Sequence, residues 1–258
     1  MNRAAFLQRI TARIEPCDLA VIGGGATGLG IAVDAASRGY SVVLLEQSNF
    51  GKGTSSRSTK LVHGGVRYLQ QGNISLVRES LKERGLLLRN APHLVHDLEF
   101  LVPGYRWWEK PFYGIGMKAY DALSGRYRFG RSRLLSRKAA LACIPTLQPR
   151  GLRGGVIYHD GQFDDARLLV ALARTATGDG ACLLNYARVT SLVKDRAGKI
   201  CGVSFCDEET GVKYLLSAKC VINATGAFCD ELRAADDPNA PAMLAASQGG
   251  AFSRAQRH

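Results

Sequence analysis

The chain has 258 residues, 46% hydrophobic and 22% charged, a composition that supports a packed core and excludes a disordered protein. Its net charge of +12 and pI near 9.6 serve either solubility or an anionic partner such as lipid or a phosphate ester. No zinc-finger spacing or RNA-binding signature accompanies that charge, which argues against nucleic acid. Seven cysteines, odd in number and without a CxxC, read as the reduced thiols of a cytosolic protein, with no disulfide framework and no metal site.

The opening MNRAAFLQRITARIEPC has no apolar segment of secretory type. Its Ala5, Phe6, Ile10 and Ile14 fit a short amphipathic helix rather than a transit peptide. Asp18 to Ile22 is an apolar strand that runs into glycines, followed by a small-residue helix that stops at Gly39. Ser41 to Glu46 is a second strand. Two wholly apolar strands around one helix are what a parallel sheet buried on both faces looks like.

Phe50 to Thr59 reads as a loop, and Asn73 to Asn90 as a helix stopped by Pro92. The run around Phe100 is a strand ended by Pro103 and Gly104. Tyr105 to Phe129 is aromatic and basic, suited to a membrane surface or to the floor of a substrate domain. A short helix is expected over Ser136 to Ala142, a strand over Gly155 to Tyr158, and a helix over Asp164 to Thr177 with Asp164 and Asp165 as cap and first-turn acids. Leu183 to Leu192, Ile200 to Cys206 and Val212 to Leu216 alternate as an antiparallel meander, and Lys219 to Gly226 is a last apolar strand.

Gly23-Gly24-Gly25-Ala26-Thr27-Gly28 is a GxGxxG placed between a strand and a helix. Gly23 permits the tight turn, Gly25 lets a pyrophosphate approach the backbone, and Gly28 lets the helix pack on the sheet. Glu46 closes the second strand, where a carboxylate accepts from ribose hydroxyls. The bland alternative is a glycine-rich turn with a solvated acid beyond it. The pattern points to a dinucleotide site and leaves NAD and FAD both open.

GTSSRSTKLVHGGVRYL, Gly53 to Leu69, resembles the signature loop of FAD-dependent glycerol-3-phosphate dehydrogenases. The resemblance extends to Ala91–Leu94 (APHL), Asp160–Leu168 (DGQFDDARL) and Val221–Ala227 (VINATGA). It implies an α/β, Rossmann-like FAD-binding fold of the glutathione-reductase and D-amino-acid-oxidase type, with an antiparallel meander and part of a substrate domain. By the same resemblance, 1–17 is an N-terminal arm, 18–90 and 155–230 are two segments of the FAD-binding domain, and 91–154 is a partial substrate or cap segment. Residues 231–258 form an atypical tail, which implies a truncated or frame-shifted chain with little turnover of its own.

The resemblance also implies roles for single residues. Thr54, Ser55, Ser58 and Thr59 lie along the flavin phosphates and ribityl chain, and Lys60 and Leu61 approach the flavin ring. His63, Arg67 and Tyr68 face the substrate. Val189 contacts the adenine end, and Ala224, Thr225 and Gly226 return the chain to the dinucleotide. The implied reaction oxidises sn-glycerol 3-phosphate to dihydroxyacetone phosphate, with quinone as electron acceptor and oxygen as the nearest variant. The location it implies is cytoplasmic, with peripheral contact to an anionic membrane face. Two other readings stay open: a non-catalytic flavin-binding remnant, and an FAD oxidase of the same fold acting on another substrate.

Overall fold

The computed structural model describes residues 2–244, apart from the side chains of Arg67 and Gln70. The chain begins with α1 (Arg3–Thr11), β1 (Cys17–Ile22), α2 (Ala26–Ser37) and β2 (Val42–Leu45). It continues through β3 (Leu61–Val62), α3 (Val66–Gln70), α4 (Ile74–Asn90), β4 (Val95–Gly104), α5 (Glu109–Ser124), β5 (Arg133–Leu135) and α6 (Arg137–Cys143). Then come β6 (Gly154–Phe163), α7 (Asp165–Gly178), β7 (Cys182–Leu184), β8 (Ala187–Lys194), β9 (Ile200–Asp207), β10 (Lys213–Asn223) and α8 (Cys229–Asp236). Two compact units result: one joins Met1–Ser56 to the chain from Leu169 onward, and the other is Arg57–Leu168. No helix among the described residues is long and apolar enough to cross a membrane.

The first unit is built on a six-stranded sheet of order β7-β2-β1-β10-β9-β8. Alternate residues of its central strands serve two cores. Ala20, Ile22, Val43 and Leu45 pack with Ile10 of α1 on one face, whereas Val21, Val42 and Leu44 pack with Leu29, Ala32, Leu169 and Ala173 of α2 and α7 on the other. Strands covered on both faces are apolar along the covered stretch, which is why β1 from Leu19 onward and β2 show no alternation. Each buried Leu, Ile or Val in such a layer contributes roughly 1.5–3 kcal/mol. Burial pushes the Cys17 thiol up to about 11, so it behaves as a small apolar group of this core.

Two strand boundaries differ from the sequence reading. The runs expected over Val212–Leu216 and Lys219–Gly226 join into one strand, β10, which ends at Asn223, because no turn residue interrupts Ser217-Ala218. Its first half pairs antiparallel with β9, and its second half pairs parallel with β1. Conversely, Leu183–Leu192 splits into β7 and β8, since β7 runs parallel to β2 while β8 runs antiparallel to β9. The chain turns between them at Tyr186, whose φ is +52°.

In the second unit β6 is the central strand, with β4 along one side and β3 and β5 sharing the other. β6 extends well past Tyr158, to Phe163. β4 does not end before Pro103: the proline pairs with Gly155 within the strand, as an edge strand tolerates. The aromatic–basic stretch is mostly helix α5, with Pro111 in its first turn, where its missing N–H costs nothing. α4 begins at an Asn73 cap, which accepts from the Leu76 amide at 3.2 Å, and α6 begins at a Ser136 cap.

Candidate functional site

The glycine-rich turn connects β1 to α2 and is closed by residues two hundred positions away. Gly23 takes φ +107°, and a Cβ there would meet the Ala224 carbonyl oxygen at 2.5 Å. The Ala224 amide in turn donates to the Ile22 carbonyl at 2.8 Å. Ala224, Thr225 and Gly226 therefore stand directly against the turn, because β10 runs parallel to β1 and both end at the same edge. A side chain on Gly28 would collide with the Gly23 carbonyl oxygen, so α2 packs onto the turn only with glycine there.

Glu46 lies at the end of β2, and its carboxylate accepts from the Gly24 amide at 2.7 Å and the Ser48 amide at 2.8 Å. A Cβ on Gly24 would come within 2.9 Å of the Glu46 Cβ. The acid thus braces the middle glycine of the motif, a constraint the GxGxxG spacing alone does not express. Each of its oxygens still has a lone pair for a ribose hydroxyl.

Ser55 accepts from the Ala26 amide at 3.0 Å, at the N-terminus of α2. A pyrophosphate attracted to that helix end meets the Ser55 hydroxyl, which keeps its own proton to donate. Thr54 precedes it in the same short turn and is exposed. Narrow backbone, helix N-terminus, hydroxyl and carboxylate together fit the diphosphate and ribose of a dinucleotide. Val189 sits apart from the turn, half-buried in β8, paired with Phe205 and followed by a β-bulge.

The second unit holds the remaining candidates. Ser58 donates to Asp165 through its hydroxyl at 2.7 Å and through its amide at 3.1 Å. Lys60 also bonds to Asp165, and its backbone is left-handed at φ +62°, uncommon for a residue with a side chain. The Phe163 amide donates to the Lys60 carbonyl at 2.9 Å, which seats Leu61 in β3 beside Gln162. Thr59 lies exposed between these anchors. Burial alone would raise the Asp165 carboxyl, but the bonds from Lys60 and Ser58 outweigh it and hold it below the ordinary carboxylate range. Asp164 is the cap of α7, accepting from the Arg167 amide at 2.9 Å. Asp165 does more than begin the helix: it ties down the segment Ser58–Lys60.

His63 is exposed and follows β3. Its Nδ1 stands 3.4 Å from Asp160 Oδ2, while the Gly64 amide donates to Asp160 Oδ1 at 2.9 Å. Asp160 is buried and paired with Arg84, also buried, at 2.8 Å. Arg84 further donates to the His159 carbonyl at 3.1 Å and lies over the Phe129 ring. The Tyr120 hydroxyl completes the group, 3.3 Å from Arg84. Burial first, then the Asp160 carboxylate, holds that phenol far above its ordinary value, so it stays neutral. Tyr68 is exposed on α3. The Arg67 side chain lies outside the described residues.

Asp160, Arg84 and Tyr120 were not among the residues expected from sequence. One signal was there to be read: Arg84 stands on the stripe Val77, Leu81, Gly85 of α4, a cation in core register, and such a charge requires a buried partner. The partner's identity depends on β6 passing beneath α4, which no local pattern reveals.

A family model described as FAD dependent oxidoreductase matches residues 18–256. The chain is 46% identical over 244 residues to the mitochondrial glycerol-3-phosphate dehydrogenase of Mesocricetus auratus, covering 90% of this chain and 34% of that protein. It is similar to the solved structure of the glycerol-3-phosphate dehydrogenase from Bacillus halodurans complexed with FAD, at 36% identity and TM-score 0.70, covering 91% of this chain and 39% of that one. The L-proline dehydrogenase of P. horikoshii, at 22% identity and TM-score 0.66, covering 88% and 57%, shares the fold. The chain spans about a third of the length of the curated relatives it matches.

Proposed function

The chain belongs to the FAD dependent oxidoreductase family, and we propose that it carries the cofactor-holding and proton-handling residues of an enzyme oxidising sn-glycerol 3-phosphate to dihydroxyacetone phosphate. The observation that carries this reading is the 46% identity to a glycerol-3-phosphate dehydrogenase, sustained over 90% of the chain. The geometry supports it. Gly23, Gly25, Gly28, Ser55 and Glu46 would hold the diphosphate and ribose of FAD, with Ala224, Thr225 and Gly226 against the turn. Thr54, Ser58, Thr59, Lys60 and Leu61 would follow the ribityl chain and ring, and Val189 the adenine end. Bound FAD would supply the hydride acceptor.

The chain's own residues handle the rest of the chemistry. His63, exposed and backed by Asp160, takes the proton of the secondary hydroxyl. Arg67 is assigned to the substrate phosphate, because a guanidinium grips phosphate through two parallel bonds. Tyr68, exposed and next after Arg67 in α3, lies close in sequence to both and is assigned to substrate contact.

In this reading the electron acceptor is a membrane quinone, and the protein works at the inner face of the cytoplasmic membrane. The second unit has a surface suited to that. Trp107, Phe112 and Ile115 are more than half exposed on and beside α5. Ile115 also lines an apolar groove of about 400 Å³, together with Pro111, Gly114, Leu134 and Val156. Between Asp121 and Asp160 the chain carries eight lysines and arginines and no acid. Apolar rings together with a run of cations in the same unit suit an anionic lipid surface.

The test is spectroscopic. The purified chain is incubated with FAD, desalted and mixed anaerobically with glycerol 3-phosphate. Retained flavin that bleaches with glycerol 3-phosphate, and not with proline or glycine, supports the proposal. Flavin that bleaches only with an amino acid transfers the chain to another substrate. Retained flavin that no substrate bleaches leaves a binding module.

A further inference from the structure

We propose that Asp160 is a positioning residue that fixes the tautomer and orientation of His63, and that Arg84 anchors the Asp160 carboxylate for that purpose. The inference rests on the reading of His63 as the proton acceptor. The observations that carry it are four contacts to a single buried carboxylate. Oδ1 accepts from the Gly64 amide at 2.9 Å and from Arg84 at 2.8 Å, while Oδ2 faces His63 Nδ1 at 3.4 Å. The Tyr120 hydroxyl stands 3.5 Å from Oδ1.

A carboxylate accepts and does not donate, so the histidine nitrogen facing it must carry the proton. With Nδ1 protonated toward Asp160, Nε2 is left with its lone pair directed away from the carboxylate, which is the state a base requires. The same carboxylate grips the backbone amide of the next residue, Gly64, so the imidazole and the loop that carries it are set by one group. Gly64 itself has no room for a side chain: a Cβ would strike the Tyr120 hydroxyl. The loop is thus pressed against the buried network.

Arg84, buried beside the carboxylate, pairs with Oδ1 and leaves Oδ2 facing the histidine. A purely structural ion pair would need neither the Gly64 amide nor a second oxygen turned toward an exposed histidine.

The experiment is nitrogen NMR of the FAD-loaded chain with labelled histidine, with the His63→Gln variant assigning the resonance. The two ring nitrogens report the tautomer whether or not glycerol 3-phosphate is the substrate, so failure here is separable from failure of the functional reading. The expected result is a neutral His63 protonated at Nδ1, passing to Nε2-protonated or mixed in Asp160→Asn. An Nε2-protonated His63 in the unmodified chain overturns the proposal, as does a tautomer that Asp160→Asn leaves unchanged. Where Asp160→Asn does not fold, the double variant Arg84→Met/Asp160→Asn removes both charges together, and its tautomer decides in the same way. In anaerobic mixing with glycerol 3-phosphate, the saturating rate of flavin bleaching should fall roughly a hundredfold or more in Asp160→Asn, with the half-saturating concentration within about twofold. A change confined to the half-saturating concentration would point to substrate binding and overturn the assignment.

Discussion

Ser58 and Asp165 are 107 positions apart in the chain, yet the serine donates both its hydroxyl and its amide to that one carboxylate. Asp165 opens α7 while holding the segment that leads to Lys60, so a helix start and a candidate flavin-contact loop are one construction.

Replacing Asp165 with Asn should therefore loosen the loop and the helix end together. The expected loss is about 2–3 kcal/mol, because bonds to a charged, buried acceptor disappear at once. Urea unfolding followed by circular dichroism measures it, and flavin retention after desalting should drop in parallel. The folded carboxyl lies below its ordinary value of 3.8. Its stabilisation is fully present above that value and is lost as pH falls through the lower folded one. Wild type and variant should differ at pH 6 and converge in acid. A constant difference down to pH 2 would show that the charge is not the source.

Two glycines of one helix should respond in opposite ways. In Gly28→Ala the new methyl meets the Gly23 carbonyl, and the strain should cost roughly 1–3 kcal/mol and abolish flavin retention. In Gly30→Ala, two residues along the same α2 and on another face, nothing lies within 4 Å of the new methyl. That variant should be more stable by roughly 0.5–1 kcal/mol, from the better helix propensity of alanine, with flavin retention unchanged. Thermal melts with and without FAD distinguish the two. Equal behaviour would mean that the turn can relax.

Removing Arg84 alone should be worse than removing the whole pair. Arg84→Met strands a buried carboxylate, an expected loss of about 3–5 kcal/mol, whereas Arg84→Met/Asp160→Asn should regain most of it. The comparison is read from urea midpoints. If the double variant is no more stable than the single one, the two residues are not energetically coupled.

The exposed aromatic surface should bind anionic lipid. Vesicles of mixed phosphatidylglycerol and phosphatidylcholine should sediment the chain at low salt, and phosphatidylcholine alone should do so far less. Trp107→Ser/Phe112→Ser/Ile115→Ser should weaken the association roughly tenfold or more without altering the melt, since all three side chains are more than half exposed. Undiminished binding by that variant would remove α5 from the contact.

Local pattern, read along the chain, determined the β1–α2–β2 part of this protein. A strand, a tight glycine turn, a helix and an acid at the end of the next strand are constraints between near neighbours, and Gly23, Gly28 and Glu46 stand where the motif requires. Helix starts at Asn73 and Ser136 were legible for the same reason, since a cap acts within three residues. Strand limits were not: whether β10 continues past Ser217 depends on β9 and β1 being present on either side. The closing of the glycine turn by Ala224, the tie from Asp165 to Ser58, and the placing of Asp160 and Arg84 behind His63 were decided by tertiary structure alone. Each joins segments that are distant in sequence, through hydrogen bonds and charge pairing that leave no periodic trace in the residues between.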